Sequence, residues 1–302
     1  MEFPIAGVEV NPFLLAGIGF LVGIMSGFFG VGGGFIASPL MFWAGVPMNF
    51  VVGTDLAHMT GKSIVAARRH HALGHVDIKL GLVMVGGTIL GVECGAQVIE
   101  VLKTLGVVDV VIGWAYVIIL LTVGVFTVWE SLRALRIVQD DSLEVQDTVG
   151  FAGIARRVHI LNLPPMISFP TSGIASISLW VVLGVGFVTG CLAGTLGVGG
   201  GFIRMPMLVY VVGVPTHMAV GTDLFEIVIS AGYGSLTHAL KGNVDVLMAL
   251  VMQTGAALGA QIGAVSTRFF TGPRIRLLFS GLPLLGAAMM LIRLLGAGLI
   301  PF

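Results

Sequence analysis

The sequence predicts an all-α polytopic membrane protein made of two inverted-topology repeats of about five helical segments each, every repeat holding a glycine-broken half-helix or re-entrant pair. Three observations lead there. Of 302 residues, 56% are apolar and only 10% charged, with a mean hydropathy of +1.05, which lies outside the usual range of soluble domains. The stretch GVGGGF at 30–35 recurs 167 residues later at 197–202. Basic residues crowd onto one side of the crossings that the apolar runs imply.

In chain order, apolar runs cover 13–29, 34–44, 50–67, 78–101 and 107–129. The second run has about 11 residues and reaches only ~16 Å, half of a ~30 Å hydrocarbon core. It reads as a half-helix, either the return arm of a re-entrant hairpin or a kinked crossing. Residues 131–173 form a polar connector with an interfacial helix expected near 151–161. The pattern then repeats at 178–196, 201–212, 218–240, 246–265 and 275–295. This gives a first transmembrane repeat at 1–130, the connector at 131–173 and a second repeat at 174–302.

The repeat holds residue by residue. Gly19, Gly23 and Gly27 match Gly186, Gly190 and Gly194. After a one-residue insertion, VGTDL at 52–56 matches VGTDL at 220–224, and Gly87, Gly91 and Gly95 match Gly255, Gly259 and Gly263. Glycines spaced by four leave a flat helix face on which another backbone packs closely. Each repeat makes an odd number of crossings, so the second is expected to be inverted. Arg68, Arg69, Lys79, Arg133, Arg136, Arg156, Arg157, Arg268, Arg274 and Arg276 then share one side, and Lys103, Lys241 and Arg293 the other. The positive-inside rule makes the first side cytoplasmic, with both termini outside. Glu2 and Glu9 with no basic residue ahead of Phe13 are the wrong polarity for a cleaved signal peptide, so the first run is expected to stay in the mature protein.

Basic and acidic residues number fifteen each, which gives no sign of a nucleic-acid partner. Cys94 and Cys191 lie in apolar runs without ligand spacing, so neither a disulfide framework nor a metal site is expected. No Ser/His/Asp or Cys/His set points to an enzyme, and GVGGGF lacks the features of a nucleotide loop, so no cofactor is expected.

The candidate chemistry lies in the runs themselves. Gly32, Gly33, Gly34 and Gly199, Gly200, Gly201 allow sharp turns and leave backbone N–H groups bare at helix starts, which favours an anion between them; close packing is the other reading. Arg204, matched by Ala37, reads as a substrate ligand or as an arginine snorkelling to headgroups. Asp55, His58 and Lys62 share one helix face, as do Asp223 and Glu226. Lys62 is either an anion ligand or the partner of Asp55. The carboxylates and His58 suit proton coupling or gating, or the GTD step serves only as a helix cap. Glu93 and Gln261, at matching positions, form a cavity wall or interhelical hydrogen bonds. His71 and His75 have i+4 spacing, but His75 and Asp77 fall in a GxVD turn that reads as capping.

The doubled run-then-GxGGGF, the proline four residues after each Phe (Pro39, Pro206), GVP and VGT together resemble the TauE/SafE family of sulfite and organosulfonate exporters, over nearly the whole chain outside the connector. This chain departs from the family after GT, where Asp55 and Asp223 stand in place of the common hydroxyl residue. The resemblance implies a secondary transporter of the bacterial inner membrane whose partners are a small sulfur-containing anion and the bilayer; the carboxylates and His58, read from the residues, add protons as a partner. The four acidic and imidazole positions keep open an alternative, a cation or divalent-metal transporter.

Overall fold

The computed structural model describes residues 1–140, 163–270 and 272–296. The interfacial helix expected near 151–161 lies outside the described residues. The helices are α1 (Pro12–Phe29), α2 (Gly34–Trp43), α3 (Met48–Ala72), α4 (Ile78–Thr104), α5 (Val108–Asp140), α6 (Leu179–Leu196), α7 (Gly201–Met207), α8 (Thr216–Leu240), α9 (Val246–Ser266) and α10 (Gly272–Gly296). A π-helical turn, Leu208–Val212, prolongs α7. Six of these helices are long and apolar enough to cross a membrane, and the chain is an all-α multi-pass membrane protein. Helices α3 and α8 are equally long but carry the buried charges, and they pack against each other at the centre.

Two small antiparallel hairpins that the hydropathy pattern does not reveal flank the helices. One pairs β1 (Glu2–Phe3) with β2 (Val8–Glu9), and the other pairs β3 (Met166–Phe169) with β4 (Ile174–Ser178). Both are too short to bury a face of their own. Phe3 and Phe169 anchor them, fully buried in the main core.

Helix starts follow from the sequence. Asp77 and Asp245, the acids of the two GxVD turns, accept from the Leu80 and Met248 amides at 3.0 Å each, capping α4 and α9. The GTD steps do not cap, because Asp55 and Asp223 lie inside α3 and α8. Instead the Thr54 hydroxyl accepts from the Asp245 amide at 3.0 Å, and the Thr222 hydroxyl accepts from the Asp77 amide at 2.9 Å. Each half thus fastens the start of a helix in the other.

The glycine ladders set helix directions. Gly19, Gly23 and Gly27 abut the backbones of Met252, Ala256 and Ala260 in that order, and Gly87, Gly91 and Gly95 abut Leu183, Phe187 and Cys191. Helices α1 and α9 therefore run parallel, as do α4 and α6, with contacts too close for any side chain.

The short arm returns rather than crosses. His70 Nε2, near the end of α3, donates to the Gly27 carbonyl at 2.9 Å. Gly34, seven residues later, already lies beside Asp55, which is ~22 Å back along α3. The chain then follows α2 to the turn that starts α3. The second half repeats this, with His238 Nε2 donating to the Gly194 carbonyl at 3.0 Å and Gly201 lying beside Asp223.

Candidate functional site

The two glycine breaks have the same backbone. Gly30, Gly32 and Gly33 have φ of 78°, 69° and 75°, and Gly197, Gly199 and Gly200 have 72°, 67° and 72°. Three left-handed residues out of four turn the chain back within one helical turn's length, a path that side-chain-bearing residues adopt only at a cost.

The breaks also touch. A methyl group on Gly34 would fall 2.7 Å from the Val198 Cα, and one on Gly201 would fall 2.7 Å from the Val31 carbonyl carbon. The rings of Phe35 and Phe202 lie 6.4 Å apart. Met59 of α3 and Ile227 of α8, matching positions in the repeat, both reach Gly32 and Gly199, and with Leu56 and Ala231 they form a small apolar cluster of their own. The breaks therefore converge as expected, around an apolar plug.

A buried charge cluster lies on each side. In the first half, Asp55 accepts from Ser38 Oγ at 3.2 Å, and its other oxygen lies 3.1 Å from His58 Nδ1 and 3.8 Å from Lys62 Nζ. Lys62 Nζ is also 3.2 Å from His58 Nδ1. One ring nitrogen cannot both accept from lysine and donate to aspartate, so proton position and partner choice are linked here. Gln253 of α9 adds a support: with its amide oriented to match donors to acceptors, its nitrogen donates to the His58 carbonyl at 2.9 Å and its oxygen accepts from the Lys62 amide at 3.2 Å. These two groups are the partners of one α-helical hydrogen bond, so Gln253 enters the ladder beneath the His58 and Lys62 side chains.

In the second half, Arg204 Nε donates to Thr189 Oγ1 at 3.1 Å and Nη1 to Asp223 Oδ1 at 3.0 Å. Nη1 also donates to Glu226 Oε2, which in turn accepts from Ser230 Oγ at 3.0 Å. Arg204, Asp223, Glu226, Asp55 and Lys62 are fully buried, so the snorkelling reading of Arg204 is overturned. Its guanidinium is held inward by two carboxylates, a pairing that offsets the cost of burying it. Lys62 likewise has Asp55 as partner.

Each aspartate faces a helix start. A methyl group on Gly34, the first residue of α2, would fall 2.7 Å from Asp55 Oδ2; one on Gly201, the first of α7, would fall 2.8 Å from Asp223 Oδ2. The protein's own carboxylates occupy the places that the sequence assigns to an outside anion. Several buried polar atoms nevertheless have no protein partner: His58 Nε2, Arg204 Nη2, Asp223 Oδ2 and Glu226 Oε1. The structure holds the Lys62 and Arg204 side chains in separate clusters, each charged group with side-chain partners from its own half.

Glu93 and Gln261 are not walls of this centre. Glu93 accepts from Gln97 at 2.8 Å and from Tyr233 at 3.3 Å and lies 3.9 Å from Lys241, an interhelical network near the surface. Gln261 lines a peripheral groove with Arg68 and Arg69. His75 meets His70 and His217 rather than forming a site with His71: its Nδ1 is 3.3 Å from His70 Nδ1, and its ring is 5.1 Å from that of His217. Among the described residues no group of three or more His, Cys, Asp or Glu is arranged to hold a metal ion.

Sequence reasoning missed Ser38, Thr189, Ser230, Gln253 and the Met59–Ile227 plug. It also missed Tyr116, whose buried hydroxyl donates to the Leu196 carbonyl at 2.7 Å and ties α5 to the end of α6 just before the second break. Thr189 carries one available signal, since a polar residue stands there against Val22 in the other half.

Comparison with known proteins agrees with this architecture. The family described as Sulfite exporter TauE/SafE matches residues 15–290. The chain is 26% identical over 267 residues to the probable membrane transporter protein YunE of Bacillus subtilis, covering 84% of this chain and 88% of that protein. It is 22% identical over 284 residues to the probable membrane transporter protein MJ0441 of Methanocaldococcus jannaschii, covering 89% and 91%. A probable membrane transporter protein of Xylella fastidiosa is 40% identical over 107 residues, 34% of this chain and 40% of that one. No solved structure matches.

Proposed function

The chain belongs to the TauE/SafE sulfite exporter family and is a membrane transporter; from that premise we propose that it exports a small sulfur-containing anion, such as sulfite, sulfoacetate or a related organosulfonate, together with a proton. The observation that carries this is the pair of fully buried cations, Lys62 and Arg204, each held by a carboxylate against a glycine-broken helix start. Stripping the partner from a buried ion costs ~3–5 kcal/mol. An entering anion must therefore replace a resident carboxylate, and a protonated carboxylate gives way without leaving a second charge behind. Three carboxylates, Asp55, Asp223 and Glu226, face two cations, so with His58 neutral the centre has one negative charge in excess. A proton on the Asp223–Glu226 pair neutralises it and frees the unpartnered Nη2 side of Arg204 for the anion.

Alternating access follows from the halves. Parallel contacts of α1 with α9 and of α4 with α6, and the crosswise Thr54–Asp245 and Thr222–Asp77 bonds, support two inverted repeats rocking about the centre. In this structure Met59 and Ile227 fill the contact between the breaks, so substrate passage requires them to part. We place the protein in the inner membrane with both termini outside and the connector in the cytoplasm, on the distribution of basic residues.

Sulfite or sulfoacetate efflux from proteoliposomes tests the reading. Arg204→Lys, which keeps the charge but loses the forked donors, and Lys62→Met paired with Asp55→Asn should each lower efflux roughly 10- to 100-fold, the worth of one charge-assisted hydrogen bond. Glu226→Gln should remove the pH dependence of efflux. Undiminished efflux in the cation variants would sink the assigned ligands, and flux of divalent cations in place of sulfite would transfer the same carboxylates to a metal substrate.

A further inference from the structure

The repeat allows two equivalent grooves to be compared. One lies between α3 and α9, with a volume of about 490 Å³, and is lined by Ile64, Val65, Arg68, Arg69, Ala72 and Gln261. Its counterpart between α8 and α4 has Gly232, Tyr233, Leu236, Thr237, Leu240 and Glu93 at the matching positions. The second groove satisfies its own polar groups, since Glu93 takes Tyr233, Gln97 and the nearby Lys241. The first groove has two guanidinium groups, no acid, and neither an ion pair nor a side-chain hydrogen bond to either arginine among the described residues.

The depth of the arginines identifies what covers them. Arg68 lies twenty residues from the start of α3, ~30 Å along the helix and so one hydrocarbon thickness away. Both arginines are exposed at that level, and Ile64, one turn deeper, is also exposed. The groove thus joins a cationic headgroup-level end to an apolar acyl-level floor of Ile64 and Val65. Lys79, a basic residue near the start of α4, is already engaged, donating to the Ser168 carbonyl at 2.7 Å and standing over the Phe169 ring.

We propose that this groove is a binding site for an anionic phospholipid, its phosphate held by Arg68 and Arg69 with Gln261 beside it and an acyl chain along Ile64 and Val65. A free oxyanion matches the arginines but not the apolar floor. The site is separate from the central clusters and stands whatever the transported ion is.

Lipid binding to the purified, delipidated protein in neutral detergent, read by native mass spectrometry, tests this with phosphatidylglycerol and phosphatidylcholine as probes. Phosphatidylglycerol should bind in preference, and Arg68→Gln with Arg69→Gln should weaken it roughly 30-fold, about fivefold per arginine. Arg69→Gln alone should give about fivefold, and Lys103→Gln on the opposite face should change nothing. Equal phosphatidylglycerol binding by the double variant overturns the site. Saturation of the arginines by inorganic phosphate or sulfite, displacing the lipid at equal charge, overturns the lipid and leaves a free oxyanion as occupant.

Discussion

Replacing Arg204 by methionine separates the structural from the transport role of the central charges. The substitution keeps most of the side-chain volume and removes the only cation in contact with Asp223 and Glu226 among the described residues. Both carboxylates are fully buried, and each already has one oxygen without a partner. Leaving a buried pair half-broken costs ~3–5 kcal/mol, which at ~2–4 °C per kcal/mol lowers a melting temperature by roughly 6–20 °C. The triple variant Arg204→Met, Asp223→Asn, Glu226→Gln removes the stranded charges together. It should regain most of that loss, because an apolar or neutral replacement of a whole buried ion cluster is close to neutral. Sulfite efflux should be absent in both. The assay is thermal unfolding in detergent beside proteoliposome efflux of the same preparations. A single variant as stable as the parent, or a triple variant no more stable than the single, would refute the account of Arg204 as the charge that the two carboxylates require.

Two further outcomes follow from local geometry. Gly34→Ala places a carbon 2.7 Å from both Asp55 Oδ2 and the Val198 Cα, well inside the ~3.5–4.0 Å of ordinary contact, so it should cost ~1–3 kcal/mol and abolish efflux. Gly17→Ala, with open space around it, should do neither, and equal effects of the two would disprove the close-approach argument. Burial and then the charge of His217 hold the His75 imidazole, in the turn after α3 and beside His70, below its ordinary range. Unfolded His75 binds a proton near pH 6.5 and the folded one only at lower pH, so this residue's contribution to stability is present above that pH and declines below it. His75→Asn, the residue that Asn243 supplies in the other half, should flatten the fall in thermal stability below about pH 6.5; an unchanged slope counts against it.

The parts legible in the sequence are those set by neighbours in the chain. Glycine spacing gave the ladder faces, GVGGGF gave both breaks, and i, i+3, i+7 spacing put Asp55, His58 and Lys62 on one face, all as the structure has them. What was hidden depends on how helices cross. The pairing of Arg204 with Asp223 and Glu226 needs the angle between α7 and α8. The insertion of Gln253 beneath His58 needs α9 to lie against Gly61, where a methyl group would fall 2.7 Å from the Gln253 amide carbon. The GTD step looked like a cap because threonine and aspartate favour caps. Thr54 does bind a backbone amide at a helix start, but that start is the one at Asp245 in the other half. The two hairpins escaped notice because two- to five-residue strands leave almost no periodic signal.

The two halves show which features the site requires and which are free to vary. Backbone is held in common: the same three left-handed glycines, the same histidine bonded to the carbonyl before the break, the same aspartate against the following helix start. Gly30, Gly33 and Gly34, like Gly197, Gly200 and Gly201, also stand against main-chain atoms of other segments, where a methyl group is already too large. The cation is not held in common. Lys62 reaches Asp55 along its own helix, whereas Arg204 reaches Asp223 from the short helix after the break, and their matching positions are Ser230 and Ala37. A carboxylate buried beside a helix start needs a positive partner, but the partner's origin is unconstrained as long as its charge arrives within ~4 Å. Arg204 serves two carboxylates and Lys62 one, so the two halves share a backbone path and differ in the charge placed against it.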